Sequence, residues 1–104
     1  MFEIFEIDVA EVQKYKDLYI LVDVREPDEL VGPEGQIEGI LLAPMGAGLA
    51  HFLTTAAPQR PYVFICRSGH RSRQACALAY AYGFHKVYNM TGGMVAWNKQ
   101  LRNF

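Results

Sequence analysis

The chain has 104 residues, of which 51% are hydrophobic and 20% are charged, and its formal net charge is −1 at pH 7. This size and balance predict one globular domain over residues 1–104. The near-neutral charge gives no reason to expect nucleic acid or an anionic membrane as partner, and no run of about 20 apolar residues suggests a membrane span. The acidic first residues are unlike a signal peptide, so we expect a cytoplasmic protein.

Apolar runs predict five short strands. The runs 19–22 and 62–65 are apolar throughout, which is typical of strands that are buried on both faces. The predicted strands are 2–7, 19–22, 37–42, 62–65 and 86–89.

Helical patterns lie between these strands. Asp8, with Glu11 three residues later, predicts the start of a first helix. The predicted helices are 9–15, 48–57, 71–82 and 94–101, and the Pro- and Gly-containing segment 26–35 is predicted to be a connecting loop. Buried strands that alternate with helices predict an α/β fold with a mostly parallel central sheet and helices on both faces. Ligands of such sheets bind beyond the carboxyl ends of the strands.

Polar segments follow three of the predicted strands, and the one that begins at Cys66 carries the chemistry. Cys66 leaves a buried strand shortly before a helix, so the intervening loop must curl at the helix N-terminus, where unpaired N–H groups and the helix dipole favour negative charge. Gly69 permits the positive φ that lets successive amides converge. We therefore expect Cys66 to be a nucleophile with a lowered pKa.

The other residues of the loop are candidates for binding an anionic substrate. These candidates are Arg67, Ser68, Gly69, His70, Arg71 and Ser72. The guanidinium groups of Arg67 and Arg71 would match the oxygens of a sulfonate-like or thiosulfate-like group. His70 could instead tune the site with pH or be exposed scaffolding, and Arg73 is predicted to lie on a solvated helix face.

The second cysteine, Cys76, has a different setting. It lies among Ala75, Ala77 and Leu78 within a predicted helix, so we expect inert packing. Two cysteines do not make a metal site by themselves, and we expect neither a metal nor a cofactor.

Four motifs, in order along nearly the whole chain, resemble the rhodanese family. They are Val22–Pro27 (VDVREP), Gly35–Gly39 (GQIEG), Cys66–Ser72 (CRSGHRS) and Gly92–Trp97 (GGMVAW). The resemblance implies a rhodanese-like fold and a sulfurtransferase that takes sulfane sulfur from a donor such as thiosulfate. The sulfur would be held as a persulfide on Cys66 and passed to cyanide or to a thiol, including a thiol on a protein. Asp23 and Arg25 match a motif that supports the site.

Three details follow from this comparison. We expect an ion pair between Asp23 and a loop arginine, the alternative being a capped strand end without a site role. Trp97 is expected to be a core aromatic residue. The chain has Gln36, Glu38 and Ile40 where the family usually has histidine, proline and alanine, and Gln36 cannot titrate.

Other functions remain open. Cysteine phosphatases with this fold, and arsenate reductases, are the nearest enzyme alternative; the phosphatase loop has five residues between cysteine and arginine. Here four residues separate Cys66 from Arg71, and six separate it from Arg73. The shorter spacing predicts a narrower loop, suited to one sulfur atom. A non-catalytic binding module and a sulfur-relay carrier are the remaining alternatives.

Overall fold

A computed structural model describes residues 3–102, with the backbone alone for residue 102. The strands are β1 (Phe5–Ile7), β2 (Ile20–Asp23), β3 (Leu41–Leu42), β4 (Tyr62–Ile65) and β5 (Val87–Met90). The helices are α1 (Val9–Tyr15), α2 (Pro27–Leu30), α3 (Ala47–Thr55), α4 (His70–Ala81) and α5 (Gly93–Arg102), and a 3-10 turn spans Lys16–Leu18.

The five strands form one sheet in the order β1-β5-β4-β2-β3, and every neighbouring pair is parallel. Alternate residues of β4 enter opposite cores, because successive side chains of a strand point to opposite faces. Tyr62 and Phe64 pack with residues of α3 and α4, whereas Val63 and Ile65 pack with residues of α1 and α5. The predicted parallel sheet with helices on both faces is confirmed.

The α5 side of the sheet contains the predicted core aromatic residue. Trp97 is 7% exposed and packs in the same core as Met94 and Val12, which confirms its expected position. Asp8 caps α1 as predicted, because its carboxylate accepts a hydrogen bond from the Glu11 N–H at 2.8 Å.

Two elements differ from the sequence-based expectation. The segment predicted to be a loop contains α2, whose start is stabilised by reciprocal hydrogen bonds between Glu26 and Glu29. The strand predicted over 37–42 is reduced to Leu41–Leu42, because the chain turns first and the Ile40 N–H bonds the Ile37 carbonyl at 3.3 Å. The predicted start of the first strand at Phe2 lies outside the described residues.

No helix within residues 3–102 is long and apolar enough to cross a membrane.

Candidate active site

The candidate site lies where the central strand of the sheet ends. β4 occupies the middle of the sheet, between β5 and β2, and Cys66 follows it directly. Asp23, the last residue of β2, is paired in register with Ile65, and Asn89 near the end of β5 is paired with Phe64. The topology therefore brings three of the polar segments to one edge, as the sequence predicts.

The loop after β4 encloses the Cys66 sulfur. Gly69 has a φ of +104° and caps α4, which begins at His70. This turn directs the Gly69 N–H at Cys66 Sγ, at 3.0 Å, and the N–H groups of Ser68 and Ser72 also donate to the sulfur. The hydroxyl of Ser72 lies 3.3 Å from the same atom. Because Cys66 is only 1% exposed, these donors largely replace water around the sulfur.

The start of α5 binds two carbonyl groups of the cysteine loop. The Met94 N–H donates to the Cys66 carbonyl at 2.9 Å, and the Val95 N–H donates to the Arg67 carbonyl at 3.0 Å. Gly93 makes this approach possible, since a Cβ built there would lie 2.5 Å from both carbonyl oxygens. The Gly-Gly motif therefore acts on the cysteine loop through backbone packing.

The environment of Cys66 lowers the pKa of its thiol from the ordinary value of 9.0. Burial is the largest single influence and raises the pKa, because it disfavours the charged form. Hydrogen bonds from the Ser72 side chain and from the N–H groups of Ser72, Gly69 and Ser68 together outweigh burial. By contrast, burial raises the pKa of Cys76 to about 12, and this fully buried cysteine packs in the core as expected.

Both arginines of the loop face carboxylates. Arg71 binds Glu29 of α2 with two hydrogen bonds, of 2.6 and 2.9 Å, and mainly this hydrogen bonding holds the pKa of Glu29 at about 2. Arg67 approaches Glu34 at 3.4 Å through one nitrogen and is 55% exposed. Arg67 therefore keeps donors for a ligand, whereas the two terminal nitrogens of Arg71 are already engaged.

The remaining basic and polar side chains of the loop point outward. Arg73 is 53% exposed and lies 3.4 Å from Glu6, which agrees with its predicted solvated position. His70 and Ser68 are also exposed.

The expected ion pair between Asp23 and a loop arginine is wrong. Asp23 instead binds Arg25, with Nε–Oδ1 and Nη2–Oδ2 distances of 2.9 and 2.8 Å, and both side chains are 0% exposed. The chain bends at Arg25, and the Arg25 N–H also donates to Asp23 Oδ1 at 3.0 Å, so a local turn brings the two side chains together first. Arg25 also donates to the carbonyl groups of Glu29, at 3.3 Å, and Gly35, at 2.7 Å. The buried pair therefore organises the segment that presents Glu29 to Arg71.

Two further residues, Glu29 and Asn89, belong to the site although neither is among the site residues predicted from the sequence. Asn89 is 2% exposed, and its side chain bonds Ser72 at 2.5 Å and the Gly69 carbonyl at 3.2 Å. Asn89 begins one of the three polar segments that follow predicted strands, and this is the signal in the sequence that points to it. Glu29 lies in the segment predicted to be a loop, and nothing in the sequence connects it with Arg71.

Together these features define a class: a parallel α/β protein with an acidic cysteine held by the backbone of a loop at a helix start. Among residues 3–102, no group of three or more His, Cys, Asp or Glu side chains is placed to hold a metal ion. The chemistry that this geometry offers is nucleophilic attack by a thiolate.

Comparison with known proteins identifies the family. The model of the rhodanese-like domain matches residues 8–100. The putative sulfurtransferase YtwF of Bacillus subtilis is 38% identical over 96% of each chain. The thiosulfate sulfurtransferase GlpE of Pseudoalteromonas translucida is 32% identical over 79% of this chain and 75% of its own. A rhodanese-like domain protein of Staphylococcus aureus superposes with a TM-score of 0.79 at 28% identity, over 90% of this chain and 91% of that chain. The chain belongs to the rhodanese family.

Proposed function

We propose that the protein is a rhodanese-type sulfurtransferase in which Cys66 carries the transferred sulfur as a persulfide. The Cys66 thiolate attacks the outer sulfur of a donor such as thiosulfate, and a new S–S bond forms. The old S–S bond breaks, and sulfite leaves with its electron pair. An acceptor thiolate or cyanide then attacks the terminal sulfur and restores the Cys66 thiolate.

The observation that carries this proposal is the convergence of loop N–H groups on Cys66 Sγ, with the Gly69 N–H at 3.0 Å. Such donors stabilise the thiolate before attack and, for a persulfide extending from Sγ, negative charge on the terminal sulfur. They are fixed by the backbone, so no reorganisation is needed when charge develops.

The loop residues take different parts in this proposal. Exposed Arg67 attracts an anionic donor, together with Ser68 and His70 at the mouth of the loop. Arg71, which is committed to Glu29, supports the loop and contributes its charge to the sulfur from a distance.

The nearest alternative, phosphate ester hydrolysis, is less well supported. Four residues between Cys66 and Arg71 make a short loop, and the cysteine it surrounds is 1% exposed. A narrow opening suits the single sulfur end of thiosulfate or of a persulfide better than a tetrahedral phosphate on an aromatic ring. The expected acceptor is a thiol, free or on a protein, in the reducing cytoplasm, with no nucleic acid or membrane involved.

Intact mass spectrometry after incubation with thiosulfate tests the proposal. We expect wild-type protein to gain the mass of one sulfur atom and to lose it on addition of cyanide, with formation of thiocyanate. Cys66→Ser should gain nothing, and Cys76→Ser is the matched control that should gain sulfur as the wild type does. Sulfur uptake by Cys66→Ser would refute the role of Cys66. Loading without turnover by any thiol would favour a carrier in a sulfur relay, and no loading from thiosulfate or a persulfide would favour a binding module.

A further inference from the structure

The amide of Asn89 has only one orientation that satisfies its neighbours. Its nitrogen donates to the Gly69 carbonyl at 3.2 Å and to the Glu6 carboxylate at 3.1 Å. Both of these groups accept hydrogen bonds, so the amide oxygen cannot face them. Oδ1 must therefore point at Ser72, whose Oγ lies 2.5 Å away.

The Ser72 hydroxyl consequently has two acceptors and one hydrogen. Asn89 Oδ1 lies at 2.5 Å and Cys66 Sγ at 3.3 Å. The amide oxygen has no hydrogen of its own, so the short contact requires Ser72 to donate to Asn89. While Cys66 is a thiol, its S–H can donate to Ser72 Oγ, and the Ser72 O–H donates to Asn89 Oδ1. Each of the two hydrogens then has an acceptor.

Ionisation of Cys66 breaks this arrangement, because the thiolate has no hydrogen to donate. The Ser72 hydroxyl must then give up its 2.5 Å hydrogen bond to Asn89 in order to donate to the sulfur, which lies at 3.3 Å. The loss of that hydrogen bond makes the thiolate less favourable than it would be beside an unconstrained serine. We propose that Asn89 is a positioning residue that holds the hydroxyl hydrogen of Ser72 and so limits how strongly the site stabilises the anionic sulfur of Cys66. This inference rests on the proposed function in treating Cys66 as the reacting sulfur.

Such a limit serves sulfur transfer. A thiolate whose pKa is lowered further becomes a weaker nucleophile towards the sulfur donor. Asn89 would keep Cys66 anionic near neutral pH without making it a poor nucleophile.

Charged groups on several elements face this part of the site. Glu6 of β1 bonds Asn89 and lies near Arg73 of α4. Arg71, paired with Glu29 of α2, interacts electrostatically with Cys66 and also with Asp23. A substitution that removes only the amide leaves all these charges in place.

The test is a titration of the Cys66 thiolate by its ultraviolet absorbance as a function of pH. Cys76 stays silent in the working range because its pKa is about 12. Asn89→Ala should lower the titration midpoint, with about three- to tenfold more thiolate than wild type at a pH below both midpoints. Ser72→Ala should raise the midpoint. The double variant should match Ser72→Ala, since the proposed effect of Asn89 on the sulfur passes through the Ser72 hydroxyl.

The sign of the Asn89→Ala effect separates this proposal from a purely structural role. If Asn89 merely supported Gly69, its loss would loosen the N–H groups around the sulfur and raise the midpoint. A raised or unchanged midpoint in a folded Asn89→Ala protein would overturn the proposal. Asn98→Ala is the matched control, because the Asn98 amide also holds a loop carbonyl, that of Glu34 at 2.9 Å, but does not bond Ser72. Its midpoint should equal that of the wild type.

A second measurement decides the question if Asn89→Ala does not fold. Proton NMR of the wild type below the thiol midpoint should show a downfield, slowly exchanging hydroxyl proton that is absent from Ser72→Ala. Rapid exchange of that hydroxyl would contradict the proposal. Neither experiment uses a sulfur donor, so a failure of the proposed sulfurtransferase activity would leave both results interpretable, and the reverse also holds.

Discussion

The pair between Glu29 and Arg71 should stabilise the folded protein measurably, and Glu29→Gln tests it without changing the side-chain shape. Conversion of the whole lowering of the Glu29 pKa, from 4.5 to about 2, at about 1.4 kcal/mol per pH unit would give about 3 kcal/mol. The Glu29 and Arg71 side chains are 29% and 36% exposed, so solvent screens part of this energy. We expect Glu29→Gln to lower the free energy of unfolding by about 1–2 kcal/mol at pH 7.

The stabilisation by Glu29 should change with pH in a definite direction. The pKa of Glu29 is lowered in the folded state, so its stabilisation is complete above its ordinary value of 4.5 and is lost as the pH falls towards about 2. Urea denaturation of wild type and Glu29→Gln should therefore show a gap at pH 7 that shrinks between those two values. Glu34→Gln is the control, because the ion pair of its carboxylate with Arg67 is long, at 3.4 Å, and Arg67 is 55% exposed, so the pair should contribute less than about 0.5 kcal/mol. Equal losses in the two variants, or a gap that stays constant as the pH falls, would refute the reasoning.

Three other predictions concern the loop and its mouth. Alkylation of the folded protein by iodoacetamide should begin at a lower pH than alkylation of the urea-unfolded protein, since hydrogen bonds lower the pKa of Cys66. Added salt should change the pH profile of the folded protein little. Coincident profiles of folded and unfolded protein would contradict this prediction. Gly93→Ala should abolish sulfur loading, because Gly93 has a φ of +57° and a Cβ there would lie against two carbonyl oxygens. It should also destabilise the fold more than the control Gly83→Ala, since Gly83 has a φ of +90° but no atom within 4 Å of the added Cβ. Mass spectrometry measures the loading, and thermal melts compare the stabilities. Arg67→Ala should raise the KM for thiosulfate about fivefold, and Arg73→Ala should leave the KM near that of the wild type. Efficient hydrolysis of p-nitrophenyl phosphate by the wild type would refute the argument that the short loop disfavours phosphate esters.

The sequence was sufficient to predict the central strand, the cysteine loop and the helix that follows it. The run Tyr62–Ile65 is apolar throughout, Gly69 marks the turn, and the next twelve residues, His70–Ala81, form α4. Each of these features depends mainly on residues that are close in sequence, so sequence patterns are sufficient to predict them. The helix α2 was missed because Pro27 favours a turn as readily as the first residue of a helix, and its cap consists of glutamates rather than Ser, Thr or Asp.

The partners of the charged residues were much less predictable. Asp23 and Arg25 are close in sequence, yet their pairing depends on burial at the strand end. Arg71 lies 42 residues from Glu29, and their contact exists only because Arg25 holds the segment after β2 in place. Asn89 reaches the loop because β5 lies beside β4 in a particular register. Such contacts are properties of the assembled tertiary structure, which residue types and spacing alone do not specify.

The sulfur owes its acidity to neutral groups rather than to the arginines that make the loop look basic in sequence. Arg67, Arg71 and Arg73 each face a glutamate from another part of the chain, so little net positive charge is left near Cys66. The N–H donors to Sγ are dipoles fixed by the turn at Gly69 and by the start of α5, and the Ser72 hydroxyl is a neutral donor to the thiolate. Fixed dipoles act at short range and are hardly screened, so they stabilise an anionic sulfur without attracting every anion in solution. The arrangement thus reserves the charged side chains for shaping the loop and for the approach of the donor, and it leaves control of the reacting atom to the backbone and to the neutral side chain of Ser72.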